Sequence, residues 1–255
     1  MYTEQQLSEQ IRALGVKPTD TLAIHTALKA VGEIACEGKR PAIALIDALR
    51  ATVSEGLLLV PAFTFLNIRE DGPFFDVRRT MPCIGGVPCA AVGMANAAYD
   101  AGDETVIRSL HPSHSVVAFG KNARAYVADD ERAETPFPAF GSYGKMMTDG
   151  GKLLFIGAPL STNSFIHALD EAIEPTGVHS PMDVTVTDYE GNPRTRRAAR
   201  CQGPSSQYPL YLPYLEEAGA VTHGKVGDAD AVLIDALLCT RVVWKTRATV
   251  RAIKA

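Results

Sequence analysis

Four short apolar runs, each bordered by residues that carry chemistry, constrain this chain most. Thr21-Leu22-Ala23-Ile24 delivers His25-Thr26, and Leu57-Leu58-Leu59-Val60 stops at Pro61 and delivers Phe63-Thr64. Val116 to Phe119 follows the dense polar stretch Arg108 to Ser115, and Lys152 to Ile156 ends on Gly157. Runs of this length that lack polar alternation read as strands covered on both faces. Helical patterns separate them: Thr3–Leu14, Pro41–Thr52, Gly85–Ala98, Tyr143–Thr148 and Asn163–Ile173. This alternation predicts an α/β fold.

Local signals set several boundaries. Thr3 and Gln6 have capping-box spacing, Gly15 ends the first helix, and Pro41 occupies a first-turn position where its missing N–H costs little. Residues 66–84 read as a loop, and Asn122–Val127 as a short helix. After Pro175 the pattern changes. Val184–Thr187 alternates like a half-wet strand, residues 188–192 form a turn, and Arg194, Arg196, Arg197 and Arg200 make a basic run. A helix is expected over Leu210–Ala218. Short strands at Val221, Gly224–Val226 and Ala231–Ile234 are expected in a small appended layer. The tail from Cys239 reads as a closing helix or strand. With no repeat, linker or clean boundary, residues 1–255 read as one domain.

A net charge of −4 is too mild to argue for nucleic acid, and no apolar run approaches a membrane span. The first residues lack the basic and apolar regions of a signal peptide. Five dispersed cysteines with no CxxC pair suit a reduced, cytoplasmic protein.

The motif inventory is thin. Phosphate-loop, dinucleotide, HExxH and Gly-x-Ser-x-Gly patterns are missing. His111 and His114 have HxxH spacing, but Pro112 disfavours the helix that would align them as metal ligands. A metal site built from His25, His111, His114 and Asp170 stays open. On the Asn163–Ile173 helix, Ile166, Leu169 and Ile173 share one face, and His167, Asp170, Glu171 and Glu174 share the other. A carboxylate three or four residues from a histidine can orient it and raise its basicity. The competing reading is a solvated face with an ordinary ion pair, worth a few tenths of a kcal/mol. Polar strand ends gather in a crevice in such sheets, so His25, Thr26, Thr64, Arg108, His111 and Gly157 are grouped with His167.

Several ordered blocks resemble the aminoglycoside 3-N-acetyltransferases. Arg108-Ser109-x-His111-Pro112-x-x-Ser115 followed by Gly120 is similar to the family signature. His25-Thr26-Ala27-Leu28, Leu59 to Phe65, Phe75-Asp76, Thr135-Pro136-Phe137, Ser142-Tyr143-Gly144, Asn163 to Glu171, Glu216 to Gly219 and Gly227-Asp228-Ala229 follow in order. The resemblance implies a mixed central sheet flanked by helices with a small C-terminal β-containing layer, of antibiotic N-acetyltransferase type and not GNAT. It implies acetyl-CoA as acyl donor, no metal, and a small-molecule amine acceptor, in a monomer or homodimer. By position, it assigns His167 as the base that deprotonates the amine, with Asp170 or Glu171 holding its tautomer. His25, Thr26, Thr64, Arg108, Ser109, His111, Ser115, Tyr143 and Gly157 are then expected to shape the substrate and CoA site, and residues 176–255 an acceptor-side subregion.

Three departures from the family pattern stand out. Ala27 replaces a hydroxyl residue, and Asp170 is one methylene shorter than the usual Glu. The arginine run stands where an acidic loop suits a polycationic antibiotic. It favours an anionic acceptor, or else it is a solvated loop or a partner of the CoA phosphates. The alternatives kept are a metal-dependent hydrolase using His25, His111 and His114, and a binding protein without catalysis.

Overall fold

A computed structural model describes residues 1–36, 38–68, 71–174, 180–201, 203 and 205–253. Its frame is a seven-stranded mixed sheet. The centre is β1 (Thr21–Thr26), parallel to β2 (Leu57–Pro61) on one side and to β6 (Lys152–Ile156) on the other. Antiparallel strands close both flanks: β5 (Val116–Phe119) and β4 (Val106–Arg108) beyond β2, β10 (Ala229–Asp235) and β9 (Val221–Val226) beyond β6. A second, three-stranded sheet pairs β3 (Phe74–Asp76) in parallel with β7 (Met182–Thr187), which is antiparallel to β8 (Pro193–Ala198).

Period-two alternation divides the core between the two faces of the main sheet. Leu22, Ile24, Leu58, Val60, Leu154 and Ile156 belong to one cluster. It packs with α1 (Glu4–Ala13), α2 (Pro41–Thr52) and α3 (Gly86–Asp100). Ala23, Leu59, Leu153 and Phe155 belong to the other. That face carries α5 (Ser142–Asp149), α6 (Ser164–Ile173) and α8 (Ala236–Ala252), together with the small sheet. His25 has the parity of Ala23, so β1 places it on the α6 face. The remaining helices, α4 (Ala123–Val127) and α7 (Leu212–Glu217), are short.

The expected capping box at Thr3 and Gln6 is present, and α2 spans the expected residues. Other expectations need correction. β9 and β10 are not an appended layer: their hydrogen bonds extend the main sheet, through β10 pairing with β6. The small layer is β3–β7–β8 instead. It takes β3 from the stretch read as a loop, because three residues carry too little periodicity to announce a strand. Arg194, Arg196 and Arg197 of the basic run lie on the ladder strand β8 rather than in a loop, and Arg200 follows it. The expected break at Pro175 lies outside the described residues.

Candidate active site

The parallel strands β1 and β2 run toward one edge of the sheet. There, His25 and Thr26 at the end of β1, and Pro61 at the end of β2 with Phe63 just beyond it, meet the first turn of α6. Asn163 caps that turn, accepting from the N–H groups of Phe165 (3.0 Å) and Ile166 (3.3 Å). The result is a cavity of about 350 Å³. Its walls are largely apolar (Val60, Phe65, Ile84, Pro88), with hydroxyls from Thr26, Ser161, Thr162 and Ser164. Among the described residues, three histidines open onto it: His25, His114 and His167.

His167 is held on one edge and available on the other. Its Nδ1 lies 2.7 Å from the Tyr208 hydroxyl and 3.2 Å from Cys201 Sγ. Tyr208 donates its proton to Asp170 Oδ2 at 3.1 Å. The phenol oxygen therefore accepts from Nδ1–H, which leaves Nε2 as the basic nitrogen. Asp170 does not bond the ring itself, and Tyr208 stands between the two. Its other oxygen accepts from Arg247 Nε (2.8 Å) and an Arg251 guanidinium nitrogen (3.0 Å), so its charge is fully compensated. Phe137 lies parallel to the imidazole, 5.6 Å away and inclined by 4°. Gly203 covers the Nδ1 edge so closely that an added Cβ would come within 2.9 Å of Nδ1. Burial pushes His167 down to about 4, and the Asp170 charge pulls the other way. The imidazole is neutral at pH 7, with a lone pair ready for a proton.

The stripe opposite Ile166 and Leu169 is thus not a solvated face. Asp170 is buried, and Glu174 joins Arg247 and Arg251 in ion pairs. Glu171 does different work. Its carboxylate accepts from the Thr135 hydroxyl and, at 2.9 Å, from the Phe137 N–H, so it fixes the segment that presents Phe137 to His167.

The Arg108–Ser115 stretch is mostly internal scaffolding. Arg108 is 1% exposed. It donates to the carbonyls of Val77 (2.9 Å), Thr80 (2.7 Å) and Ala62 (3.2 Å) and to Ser115 Oγ (3.0 Å), over the Phe75 ring. Ser115 passes its proton to the Ala62 carbonyl, and Ser109 Oγ accepts from the Val116 N–H. Thr64 donates to the Pro112 carbonyl at 2.6 Å. His111 donates from Nε2 to the Thr135 carbonyl (3.0 Å), while Nδ1 accepts from the N–H of His114 (2.9 Å). Both His111 nitrogens are therefore spent on the backbone. Burial lowers it to about 4.

Of this stretch, His114 reaches the cavity. Its Nδ1 is 2.8 Å from Ser113 Oγ, which donates to the Ala199 carbonyl, so Nδ1 carries the proton. Burial takes its pKa well below the usual histidine value. His25 stacks on Phe155 (4.8 Å), and burial lowers it to about 3. Tyr143 packs behind Phe137 and Phe63. Gly157, with φ +63°, turns the chain where a Cβ would meet that of Ala30 at 2.6 Å. Among the described residues, no group of three or more His, Cys, Asp or Glu side chains could hold a metal ion.

Tyr208, Cys201, Phe137, Gly203 and Arg247 carry no sequence signal that ties them to His167, because each arrives from a distant segment. Only the basic run drew attention to its own neighbourhood. In the structure, Arg194 and Arg196 pair with Glu131 (2.8 and 3.7 Å), and Arg197 reaches the Pro181 carbonyl (3.3 Å). Among the described residues, no helix is long and apolar enough to cross a membrane.

Comparison with known proteins places this geometry. The family model for aminoglycoside 3-N-acetyltransferase matches residues 23–246. Aminoglycoside N(3)-acetyltransferase III of Serratia marcescens is 32% identical over 191 residues, spanning 69% of this chain and 66% of that enzyme. The enzyme of the same name from Pseudomonas aeruginosa is 25% identical over 95% of this chain and 93% of its own length. Among solved structures, AAC-IIIb in binary complex with CoASH superposes with a TM-score of 0.77 at 22% identity, covering 96% of this chain and 97% of the other. AAC-VIa bound to sisomicin gives a TM-score of 0.76 at 21% identity, covering 97% and 98%. Likeness at these identities establishes the fold.

Proposed function

The chain belongs to the aminoglycoside 3-N-acetyltransferase family, and from that premise we propose that it moves the acetyl group of acetyl-CoA onto an amine of an aminoglycoside or other amino-sugar-like acceptor. The observation that carries the reading is the His167–Tyr208–Asp170 chain at the wall of the cavity. An acceptor amine must lose a proton as it attacks a thioester carbonyl. His167 takes that proton at Nε2, and its Nδ1–H leans on the Tyr208 oxygen. Tyr208 and Asp170 stabilise the imidazolium that forms, and the proton then leaves with the departing thiolate as free CoA thiol.

The cavity fits the donor. Apolar walls at Val60, Pro61, Phe65 and Ile84 suit a pantetheine arm, and Thr26 and Ser164 offer hydroxyls to a polarised carbonyl oxygen. The acceptor side is assigned to residues 176–255, which supply Cys201, Gly203 and Ser205 to the wall. Arg108, Ser109, Thr64, His111 and Ser115 are assigned the support of that wall. Five free cysteines suit work in the reducing cytoplasm.

A thiol-release assay with acetyl-CoA and a panel of amino sugars and aminoglycosides tests the reading. His167→Ala is expected to lower kcat by roughly 10²–10⁴-fold, the contribution of a positioned base. Unchanged turnover in a folded variant, or no CoA binding by the wild type, would sink the proposal.

A further inference from the structure

The cavity wall holds a histidine whose hydrogen bonds are unmade. His25 lies near the end of β1, is 6% exposed, and stacks its ring on Phe155. Among the described residues, neither of its ring nitrogens has a hydrogen-bond partner. Nε2 is sealed off, so Nδ1 is the nitrogen left to face the cavity. A sealed N–H without an acceptor is rarer and costlier than a sealed lone pair. The proton of the neutral ring therefore sits on Nδ1, where a molecule in the cavity can accept from it.

The other two histidines of the wall offer the opposite. His167 keeps its proton on Nδ1 for Tyr208 and presents the Nε2 lone pair, and His114 keeps its own on Nδ1 for Ser113. His25 lies near enough to His167 for a charge on one to be felt by the other. Backbone donors at this edge are spent. The Ala27 N–H donates to the Ile156 carbonyl (2.9 Å), that of Gly157 to the Asp230 carbonyl (2.8 Å), and those of Phe165 and Ile166 to Asn163. The Thr162 hydroxyl donates to the Pro159 carbonyl at 2.7 Å. A hydroxyl such as that of Thr26 rotates about its C–O bond, whereas the imidazole is held in plane by Phe155, oriented before any charge develops.

We propose that His25 is a catalytic residue, whose Nδ1–H donates to the carbonyl oxygen of the bound acetyl thioester and holds the oxyanion that forms when the amine attacks. This rests on the acetyltransferase reading and adds the electrophilic half of its machinery. The amine lone pair forms the new C–N bond while the carbonyl π pair moves onto oxygen, against the His25 N–H. His167 Nε2 takes the proton from the attacking nitrogen. The oxygen pair then re-forms the carbonyl, the C–S bond breaks, and the thiolate leaves with that proton. His25 keeps its own proton throughout.

Two variants and two spectroscopic probes test this. His25→Leu removes the donor, and His25→Asn returns an N–H near the place of Nδ1. Thiol release is measured with the acceptor that the wild type turns over best in the panel of amino sugars and aminoglycosides. In His25→Leu kcat should fall by roughly 10²–10³-fold, the loss expected for one oxyanion donor, and His25→Asn should recover about tenfold or more. The Kd for CoA by calorimetry should stay within about twofold in both. Thermal unfolding verifies the fold. Acetyl-CoA with carbon-13 at its carbonyl reports the contact without turnover: on binding to the wild type the C=O stretch should move to lower frequency, and His25→Leu should abolish the move. In nitrogen-15 NMR of the wild type, the His25 Nδ1 signal should shift with acetyl-CoA and not with CoA, which has no acyl oxygen. The wild-type measurements decide the matter if the variants unfold.

A folded His25→Leu within about threefold of wild-type kcat, a carbonyl stretch unmoved on binding, or a loss confined to the KM of the acceptor overturns the inference and leaves the acetyltransferase reading standing. So does weakened CoA binding that accounts for the whole loss, because His25 then holds the pantetheine arm. A wild type that binds no CoA, or transfers acetyl to no acceptor of the panel, defeats the acetyltransferase reading, and the inference falls with it.

Discussion

Tyr208→Phe removes one oxygen from the site and leaves the packing of the ring. Tyr208 does not line the cavity, so substrate contacts are untouched. The lost hydroxyl stands 2.7 Å from His167 Nδ1 and 3.1 Å from Asp170 Oδ2. Asp170 keeps Arg247 and Arg251, so the carboxylate stays paired. His167 keeps only Cys201 Sγ at 3.2 Å, and a thiol is a weak acceptor. Two losses follow. The tautomer with its proton on Nε2 becomes competitive, and that form has no lone pair toward the cavity. The imidazolium formed during transfer also loses its link to the Asp170 charge. A buried hydrogen bond with partial ionic character is worth about 1.5–3 kcal/mol, which corresponds to roughly 10–150-fold in kcat. The KM for acetyl-CoA should stay put. Thiol-release kinetics give the kcat and KM split, and nitrogen-15 NMR of the imidazoles reads the tautomer directly. The acid limb of the kcat profile, governed by a histidine near 4, should move to lower pH as the Asp170 influence fades. A folded variant within about twofold of wild-type kcat, with an unshifted limb, would refute the relay.

Two stability predictions follow from buried ionisable groups. Arg108→Met should cost about 3–5 kcal/mol by urea unfolding, because it orphans the buried carbonyls of Val77 and Thr80 that the guanidinium serves. A loss below about 1 kcal/mol would contradict that role. Acid should destabilise the fold through its histidines: His25, His111 and His167 are held near 3, 4 and 4, and His114 well below 6.5. These depressed values mean that the unfolded chain binds more protons as pH falls from 6.5 toward 4. Stability is then full above about 6.5 and drops through that window, with roughly three or more protons taken up on unfolding near pH 5. Unfolding free energies measured at several pH values check the slope, and a flat profile between pH 6.5 and 5 would be incompatible with three buried histidines and a partly buried one held neutral.

Much of this was legible in the chain because it is local. Four-residue apolar runs specify strands, Thr3 with Gln6 specifies a helix start, and the i, i+3 spacing on α6 puts His167 and Asp170 on one face. The block pattern around Arg108–Ser115 marked the family, although the buried backbone bonds of Arg108 and His111 show that it marks scaffolding as much as chemistry. β3 and β8 were misread because an edge ladder of three to six residues, rich in arginine on its wet face, lacks apolar periodicity.

The sequence by itself determined the central strands, the longer helices with their buried faces and the histidine on α6, since each follows from periodicity and capping within a dozen residues. Only the tertiary structure decided what surrounds that histidine. Tyr208 lies 41 residues along the chain from His167, and Arg247 lies 77 from Asp170. No spacing rule connects such pairs. They meet because α8 and the 205–211 segment are drawn onto the α6 face of the sheet by the apolar surface they bury there. That burial made Asp170 a paired internal charge and kept the imidazole neutral.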